Sequence, residues 1–438
     1  MLYFLKKVLI LFICATGVVS SNPKLPEHTS QSIILVTAPF RGDLLALNLG
    51  KTEKILLITK LPYERLSTAQ KNKFDKVIIL EKLDYPDIKT LVDKTLLNKA
   101  SSKILVVNDE GLFLAAKLRT DLNIPGLKYQ ESLRFRDKKI AKEILENHGL
   151  RVPKYAAFDQ QDYARNPAAY IEKIEKSFAY PIFIKPSNGC SSIGTCKVKA
   201  RKGLEDWLKE NQNQTSYDFE FNEFIKGTLY EADCIVQNGQ IQLTRIMKNI
   251  VPFHKFLKGK AVGSITIPQQ SSKFKRLEAY ARKVINIMNP PDGVADIEFF
   301  ENREGELVFG EINARRPGDL LNPTYLINTG IDFESESLNI QAGRKIKLPS
   351  LDQIDEVFAA WLEFPAKSGK VENYNALPNI LSKVKLHWKV KPGDMLSDPV
   401  DTKNTVAEVL LWNTDYQQLK EDFYKLGREF NPIVLAKG

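Results

Sequence analysis

The 438-residue sequence has few of the residues on which disulfide frameworks and zinc clusters depend. Four cysteines are too few to cross-link a chain of this length, and no Cys/His group has the spacing of a zinc site. With only four histidines, a histidine-dependent hydrolase has little support. Internal repeats, low-complexity tracts and long Lys/Arg blocks interleaved with aromatics are also missing. The composition therefore argues against a disulfide-rich module and against a nucleic-acid partner.

The residues that are present suit a large protein of several domains. At 43% hydrophobic content, the chain can bury substantial cores. The formal net charge of +10 is spread along the sequence. Binding of an anionic substrate would explain the positive net charge, and general solubility explains it nearly as well.

The first twenty residues resemble a secretory leader. Lys6 and Lys7 precede an apolar run over 8–19, and Ser20 offers a small residue for cleavage. The run is short for a stable membrane span. We therefore predict a signal peptide or membrane anchor at 1–20. Export, membrane association through this segment and a misassigned start codon all stay open.

Four short apolar runs near the N-terminus predict the buried strands of a parallel sheet. They are 32–36, 55–58, 77–80 and 104–107, separated by helical patterns such as 111–122. The sequence thus predicts an α/β domain over 31–130. Ligands gather at the carboxyl ends of such strands, so Glu110 is predicted to face a substrate. The alternative is an acid that only favours the helix dipole.

A pair of apolar runs, 295–300 and 307–313, flanks a polar turn and predicts an antiparallel hairpin. Each run contains an acid, Glu298 in the first and Glu311 in the second. Because buried acids repel each other, a divalent cation is their natural partner. Asn313 shares the face of Glu311 and adds a neutral oxygen. The pattern predicts a Mg²⁺ site, and an ordinary hairpin with salt bridges is the alternative.

This hairpin resembles the metal-binding hairpin of the ATP-grasp superfamily, whose pattern is Glu and, after a turn, Glu-x-Asn-x-Arg. Here the matching residues are Glu298, Glu311, Asn313 and Arg315, with a spacing like that of the carboxylate–amine ligase branch, which includes L-amino-acid ligases. The resemblance implies ATP and Mg²⁺ (or Mn²⁺) as cofactors. It also implies that a carboxylate is joined to an amine through an acyl-phosphate, with release of ADP.

Two upstream lysines match the phosphate-binding positions of the same superfamily. Lys185 ends the β-type run 180–186 and precedes a small-residue loop. Ser191 and Ser192 fall where the superfamily's loop closes on the phosphates. Lys138 opens an amphipathic helix, and the resemblance places its ammonium near the phosphates as well.

A third segment resembles the hinge strand Glu-Glu-Phe-Ile-x-Gly, whose backbone reads adenine. The corresponding residues are Asn222, Glu223, Phe224 and Ile225. The chain departs from the pattern because Asn222 replaces the first acid and Leu229 stands where an acid commonly faces the ribose. Glu231 is the predicted replacement for that acid, with Asp233 as the alternative.

The whole sequence therefore predicts an α/β and α+β multidomain protein with an ATP-grasp fold. The expected domains are the N-terminal parallel α/β domain, an ATP-grasp domain over 134–347 and a C-terminal β-rich domain over 348–438. For the last, β-type runs at 358–364, 384–390 and 405–412 precede a helix over 416–429.

The predicted activity is ADP-forming ligation of an amino acid, or a similar small carboxylate, to an amine. Arg315 is expected to stabilise the oxyanion of the tetrahedral intermediate and Gly318 to help shape the carboxylate pocket. The sequence leaves open whether Arg316 replaces Arg315, and whether the protein is a homodimer. The alternatives are a purine- or biotin-carboxylase-type ATP-grasp ligase and an exported, non-catalytic nucleotide-binding protein.

Overall fold

The structure is a computed structural model that describes 10–12, 30–36, 44–49, 52–81, 84–187, 194–216, 218–346, 354, 356–401 and 404–436. Most of the predicted leader lies outside these residues, as do Ser191 and Ser192, so these predictions stay predictions. Within the described residues, no helix combines the length and apolar character needed to cross a membrane.

The N-terminal part is a parallel sheet in the order β1-β4-β3-β2-β5. Its strands are β1 (Ile10–Phe12), β2 (Gln31–Val36), β3 (Glu53–Thr59), β4 (Lys76–Leu80) and β5 (Lys103–Val106). Its helices are α1 (Lys60–Glu64), α2 (Thr68–Lys71), α3 (Tyr85–Thr95), α4 (Asp109–Asp121) and α5 (Tyr129–Ser132). The four predicted strands are confirmed, because their continuous apolar runs are buried on both faces. The edge strand β1 was not predicted.

A smaller antiparallel sheet follows, in the order β6-β9-β7-β8. Its strands are β6 (Tyr155–Ala157), β7 (Ile182–Pro186), β8 (Cys196–Val198) and β9 (Phe219–Glu223). The helices of this part are α6 (Lys138–Asn147), α7 (Gln160–Arg165), α8 (Pro167–Ser177) and α9 (Arg201–Asn211). The core is aromatic, with Phe158 and Phe221 packed edge-on against Trp207. This sheet holds Lys185 on β7 beside the hinge residues on β9.

An eight-stranded antiparallel sheet forms the centre of the protein, in the order β14-β13-β10-β11-β12-β15-β19-β17. Its strands are β10 (Gly227–Gln237), β11 (Gln240–Asn249), β12 (Val262–Thr266), β13 (Gly293–Asn302), β14 (Leu307–Asn313), β15 (Phe358–Pro365), β17 (Lys383–Trp388) and β19 (Thr405–Asn413). The associated helices are α10 (Ser272–Met288), α11 (Leu321–Thr329), α12 (Phe333–Gln341) and α13 (Tyr416–Glu429). The predicted hairpin is confirmed as β13 and β14.

The C-terminal strands extend this central sheet. Strand β15 pairs with β12, and β19 and β17 continue the order outward. Three short strands, β16 (Gly369–Tyr374), β18 (Met395–Leu396) and β20 (Ile433–Leu435), form a separate small sheet. The predicted boundary at 347–348 lies outside the described residues. The three predicted C-terminal β-runs and the final helix are confirmed.

The two faces of the central sheet differ in polarity. On β10 and β13, the alternating residues Ala232, Cys234, Ala295 and Ile297 pack in the same core as Phe274 of α10. The intervening positions must point to the opposite face, because side chains alternate along a strand. Those positions are acidic, and they form the floor of the site.

Candidate active site

Two rows of polar residues cross the three strands β10, β13 and β14. In the first row, Glu231 lies directly opposite Glu298, which lies opposite Glu311. The second row places Asp233 opposite Asp296, and Asp296 opposite Asn313. Like charges directly across a ladder destabilise a sheet, so this arrangement costs stability unless a cation offsets it.

Gly310 makes the first row geometrically possible. The ladder between β13 and β14 shifts register at Glu298, and Gly310 is the residue left without a partner. A Cβ atom at Gly310 would lie 2.9 Å from the carbonyl oxygen of Glu298. The glycine therefore permits a close backbone approach at a bulge, which brings Glu311 opposite Glu298.

The acids of these two rows have shifted pKa values. Burial, followed by repulsion from Glu311, raises the pKa of Glu298 to about 8. Burial and the neighbouring carboxylates also raise the pKa values of Glu231, Asp233 and Asp296. Burial acts in the same direction on Glu311, but nearby lysines outweigh it and hold its pKa below the ordinary value.

The donor set fits a hard divalent cation. Oε2 of Glu231 and Oδ1 of Asp296 are buried and have no hydrogen-bond partner within the described residues. Glu298, Glu311 and Asn313 offer the oxygen ligands that Mg²⁺ prefers, and substrate phosphates and water commonly complete its shell. In the described part of the chain, no three His, Cys, Asp or Glu side chains converge as a complete metal site. A site completed by substrate is consistent with that finding.

Lys138 at the start of α6 and Lys185 on β7 line the cavity together with the acidic floor. Nζ of Lys138 lies 3.2 Å from Oε2 of Glu311. The backbone of Lys138 donates to the carbonyl of Ser187 at 3.2 Å, which ties the start of α6 to the end of β7. Burial, partly offset by Glu220, lowers the pKa of Lys185. Lys138 in the first turn of α6 thus faces a carboxylate, which offsets the unfavourable position of a lysine at this end of the helix dipole.

Beneath these lysines lies a fully buried third lysine, Lys142. Its ammonium donates to Oε1 of Glu220 at 2.8 Å and to Oδ1 of Asn222 at 2.9 Å. It also lies 4.1 Å from the centroid of the Tyr155 ring. Burial, with a smaller contribution from Lys185, lowers the pKa of Lys142 despite the attraction of Glu220.

The opposite end of the site is an aromatic cleft beside the hinge. A cavity of about 360 Å³ runs from the acidic floor to this cleft. Phe183 and Phe224 lie 5.6 and 6.2 Å from the His254 ring. Burial and nearby lysines lower the pKa of His254 to about 4, so its imidazole is neutral at pH 7. A flat, neutral base is the kind of group that such a cleft accommodates.

Arg315 and Arg316 point to different places. Nη1 of Arg315 donates to Oδ2 of Asp296 at 2.7 Å, and its Nε donates to Oδ2 of Asp109 at 3.1 Å. Arg315 lines the cavity. Nε of Arg316 instead lies 2.8 Å from Oε1 of the buried Glu334 on α12. The geometry therefore distinguishes two arginines that the sequence could not.

Known proteins are similar to this chain in sequence and in fold. The family model described as "D-ala D-ala ligase C-terminus" matches residues 144–335. The D-alanine–D-alanine ligase of Acetivibrio thermocellus is 29% identical over 187 residues, which are 40% of this chain and 48% of that protein. The enzyme of the same name from Bacillus velezensis is 28% identical over 45% of this chain and 57% of its own. The chain thus spans about half the length of these relatives.

Solved structures match over nearly the whole chain. L-amino acid ligase from Bacillus licheniformis has a TM-score of 0.66 at 17% identity and covers 93% of this chain and 99% of its own. N5-carboxyaminoimidazole ribonucleotide synthetase from Thermotoga maritima has a TM-score of 0.61 at 16% identity, over 90% and 97% of the two chains. This chain shares the ATP-grasp fold with these structures. At these identities the structural likeness establishes the ATP-grasp fold alone, and it confirms the fold prediction.

Most of the predicted residues line the ATP-grasp cavity. They are Lys138, Lys185, Asn222, Glu223, Phe224, Ile225, Glu231, Glu298, Glu311, Arg315 and Gly318. Three others do not line it. Glu110 is exposed in the first turn of α4, Asn313 is buried in β14, and Arg316 contacts Glu334.

Asp109 and Asp296 are among the cavity residues that the sequence did not predict. Asp109, not its neighbour Glu110, lines the cavity and pairs with Arg315. Asp296 lies two residues before Glu298, so the alternation of the strand already placed it on the same face. Glu231 was predicted near the ribose, but the structure places it beside Glu298 on the acidic floor.

Proposed function

We propose that the protein is an ATP-dependent carboxylate–amine ligase that releases ADP and acts through an acyl-phosphate. One observation carries this proposal: a single cavity brings two lysines, a row of three glutamates and Arg315 together. Phosphate groups, a divalent cation and a developing oxyanion each find a complementary partner there. A protein that only binds a nucleotide would not need the arginine.

In this proposal, Lys138 and Lys185 bind the phosphates of ATP by charge-assisted hydrogen bonds. Glu298 and Glu311, which line the cavity, would hold Mg²⁺ together with Asn313 of β14, and the ion would supply charge neutralisation for the transferred phosphoryl group. Lys138 lies 3.2 Å from Glu311, so the phosphate site and the metal site adjoin. The γ-phosphate is therefore expected at the acidic floor and the base at the aromatic cleft.

The substrate carboxylate attacks the γ-phosphorus, and the bond between that phosphorus and the oxygen bridging to the β-phosphate breaks to release ADP. The amine then attacks the carbonyl carbon of the acyl-phosphate, loses a proton, and phosphate departs. Arg315 donates to the oxyanion of the tetrahedral intermediate. Its two carboxylate partners, Asp109 and Asp296, orient the guanidinium toward the cavity.

An amino acid is the carboxylate substrate that best fits this site. The relatives named D-alanine–D-alanine ligase and the structural neighbour named L-amino acid ligase support that choice. The cavity is also lined by acids outside the two acidic rows, among them Asp109 and Asp319. Such acids suit a substrate with an ammonium group. In this proposal Asp109, and not the predicted Glu110, is the acid of α4 that faces the substrate.

A screen for product formation tests the proposal. Purified protein with ATP and Mg²⁺ is offered pairs of amino acids, and ADP and the condensed product are measured by mass spectrometry. We expect ADP, phosphate and an amide to form in equal amounts with at least one pair. Release of AMP and pyrophosphate would contradict the proposed reaction. ADP formation that requires bicarbonate would instead favour the carboxylase-type alternative.

A further inference from the structure

The buried carboxylate of Glu220 is shared unequally between two ammonium groups. Its Oε1 accepts from Lys142 at 2.8 Å, whereas Nζ of Lys185 lies 3.8 Å away. The second distance exceeds that of a hydrogen bond. Glu220 is fully buried, and its Oε2 has no hydrogen-bond partner within the described residues. Asn222 also donates to Oε1 at 3.2 Å, so the carboxylate is held by Lys142 and Asn222 and is only loosely associated with Lys185.

The position of Lys142 on α6 explains why it reaches Glu220. It lies four residues after Lys138, so both side chains leave the helix on the same face. Lys138 reaches the cavity and pairs with Glu311, whereas Lys142 is buried behind it. Its second acceptor is Asn222, at the start of the hinge. The buried Lys142 ammonium therefore contacts Glu220 beside the proposed phosphate site and Asn222 beside the proposed adenine site.

We propose that Lys142 is a positioning residue that holds Glu220 away from Lys185, so that the Lys185 ammonium is available to nucleotide phosphate. This inference rests on the proposed function, because it assigns Lys185 to ATP. Without Lys142, Glu220 would be a buried carboxylate with one remaining cationic neighbour. It would then close the 3.8 Å gap and form a direct ion pair with Lys185, because an unpaired buried charge is costly. That pair would compete with ATP for the same ammonium.

The test compares nucleotide binding by Lys142→Met with that by the double variant Lys142→Met/Glu220→Gln. Methionine keeps the length of the lysine stem, and glutamine keeps the shape of the glutamate without its charge. The probe is a non-hydrolysable ATP analogue with Mg²⁺, titrated calorimetrically into the full chain. Lys176→Met, which removes an exposed lysine on α8, is the matched control.

We expect Lys142→Met to weaken analogue binding by about tenfold or more. The double variant should recover most of this loss, because no carboxylate then competes for Lys185. A purely structural role would lower the melting temperature without such recovery. If Lys142→Met does not fold, near wild-type binding by the double variant still supports the proposal.

Two results would overturn the inference while leaving the proposed function intact. One is binding by Lys142→Met that is as tight as that of the wild type. The other is a folded double variant that binds the analogue no more tightly than Lys142→Met does. If Lys142→Met cannot be made, weak binding of the analogue by the folded double variant has the same meaning. Failure of the wild-type protein to bind the analogue would instead contradict the proposed nucleotide site itself.

Discussion

Glu311→Gln should abolish ADP formation while leaving the fold intact. The substitution removes the charge of a proposed metal ligand and keeps its shape. Loss of groups that merely support metal ligands commonly costs 10–100-fold, so loss of a ligand should cost at least about 100-fold in turnover. The melting temperature should fall only slightly, because relief of the repulsion from Glu298 partly offsets the lost ion pair with Lys138.

Glu304→Gln provides the matched control for this variant. Glu304 lies in the exposed turn of the same hairpin and undergoes the same chemical change. Its turnover should equal that of the wild type. The measurement is Mg²⁺-dependent ADP release at saturating ATP with a substrate pair from the product screen. Turnover by Glu311→Gln within a few-fold of the control would remove Glu311 from the metal site.

Arg315→Lys should lower ligase turnover by about 100-fold, in line with the loss of one oxyanion donor. Lysine keeps the charge but lacks the planar fork that contacts Asp109 and Asp296 together. ATP binding should change little, because Lys138 and Lys185 supply the phosphate contacts.

Arg316→Lys makes the same change at the neighbouring residue and serves as the comparison. Arg316 pairs with Glu334 on α12, outside the cavity, and lysine preserves the positive charge of that pair. Steady-state kinetics should show wild-type-like turnover for this variant, with any loss confined to thermal stability. Equal losses of turnover in both variants would contradict the assignment of the catalytic role to Arg315.

The features that were predictable from the sequence are local ones. The hairpin could be predicted because two apolar runs flank one turn, and the alternation of a strand fixes which side chains share a face. Glu298, Glu311 and Arg315 are thus visible in a single stretch. Lys185 and Lys138 could also be predicted locally, because one lies near the end of a strand pattern and the other at the start of a helix pattern.

The features that were missed depend on contacts between distant segments. Glu231 joins the acidic floor only because β10 pairs with β13 in one register, and nothing near Glu231 specifies that pairing. The pairing of β15 with β12 is equally non-local. The prediction named Glu110, whereas the neighbouring Asp109 lines the cavity. This difference has another cause, because successive side chains on a helix point in directions that differ by about 100°.

The proposed transfer of phosphate to a carboxylate can be tested directly with isotope. The carboxylate substrate identified in the product screen is labelled with ¹⁸O at both oxygens and turned over with ATP and the amine. One labelled oxygen becomes the bridge to the transferred phosphorus and leaves with it when the amine attacks. Mass spectrometry of the products should therefore show one ¹⁸O atom in each phosphate released and none in ADP. Label in AMP, or unlabelled phosphate accompanying a finished amide, would contradict the acyl-phosphate mechanism.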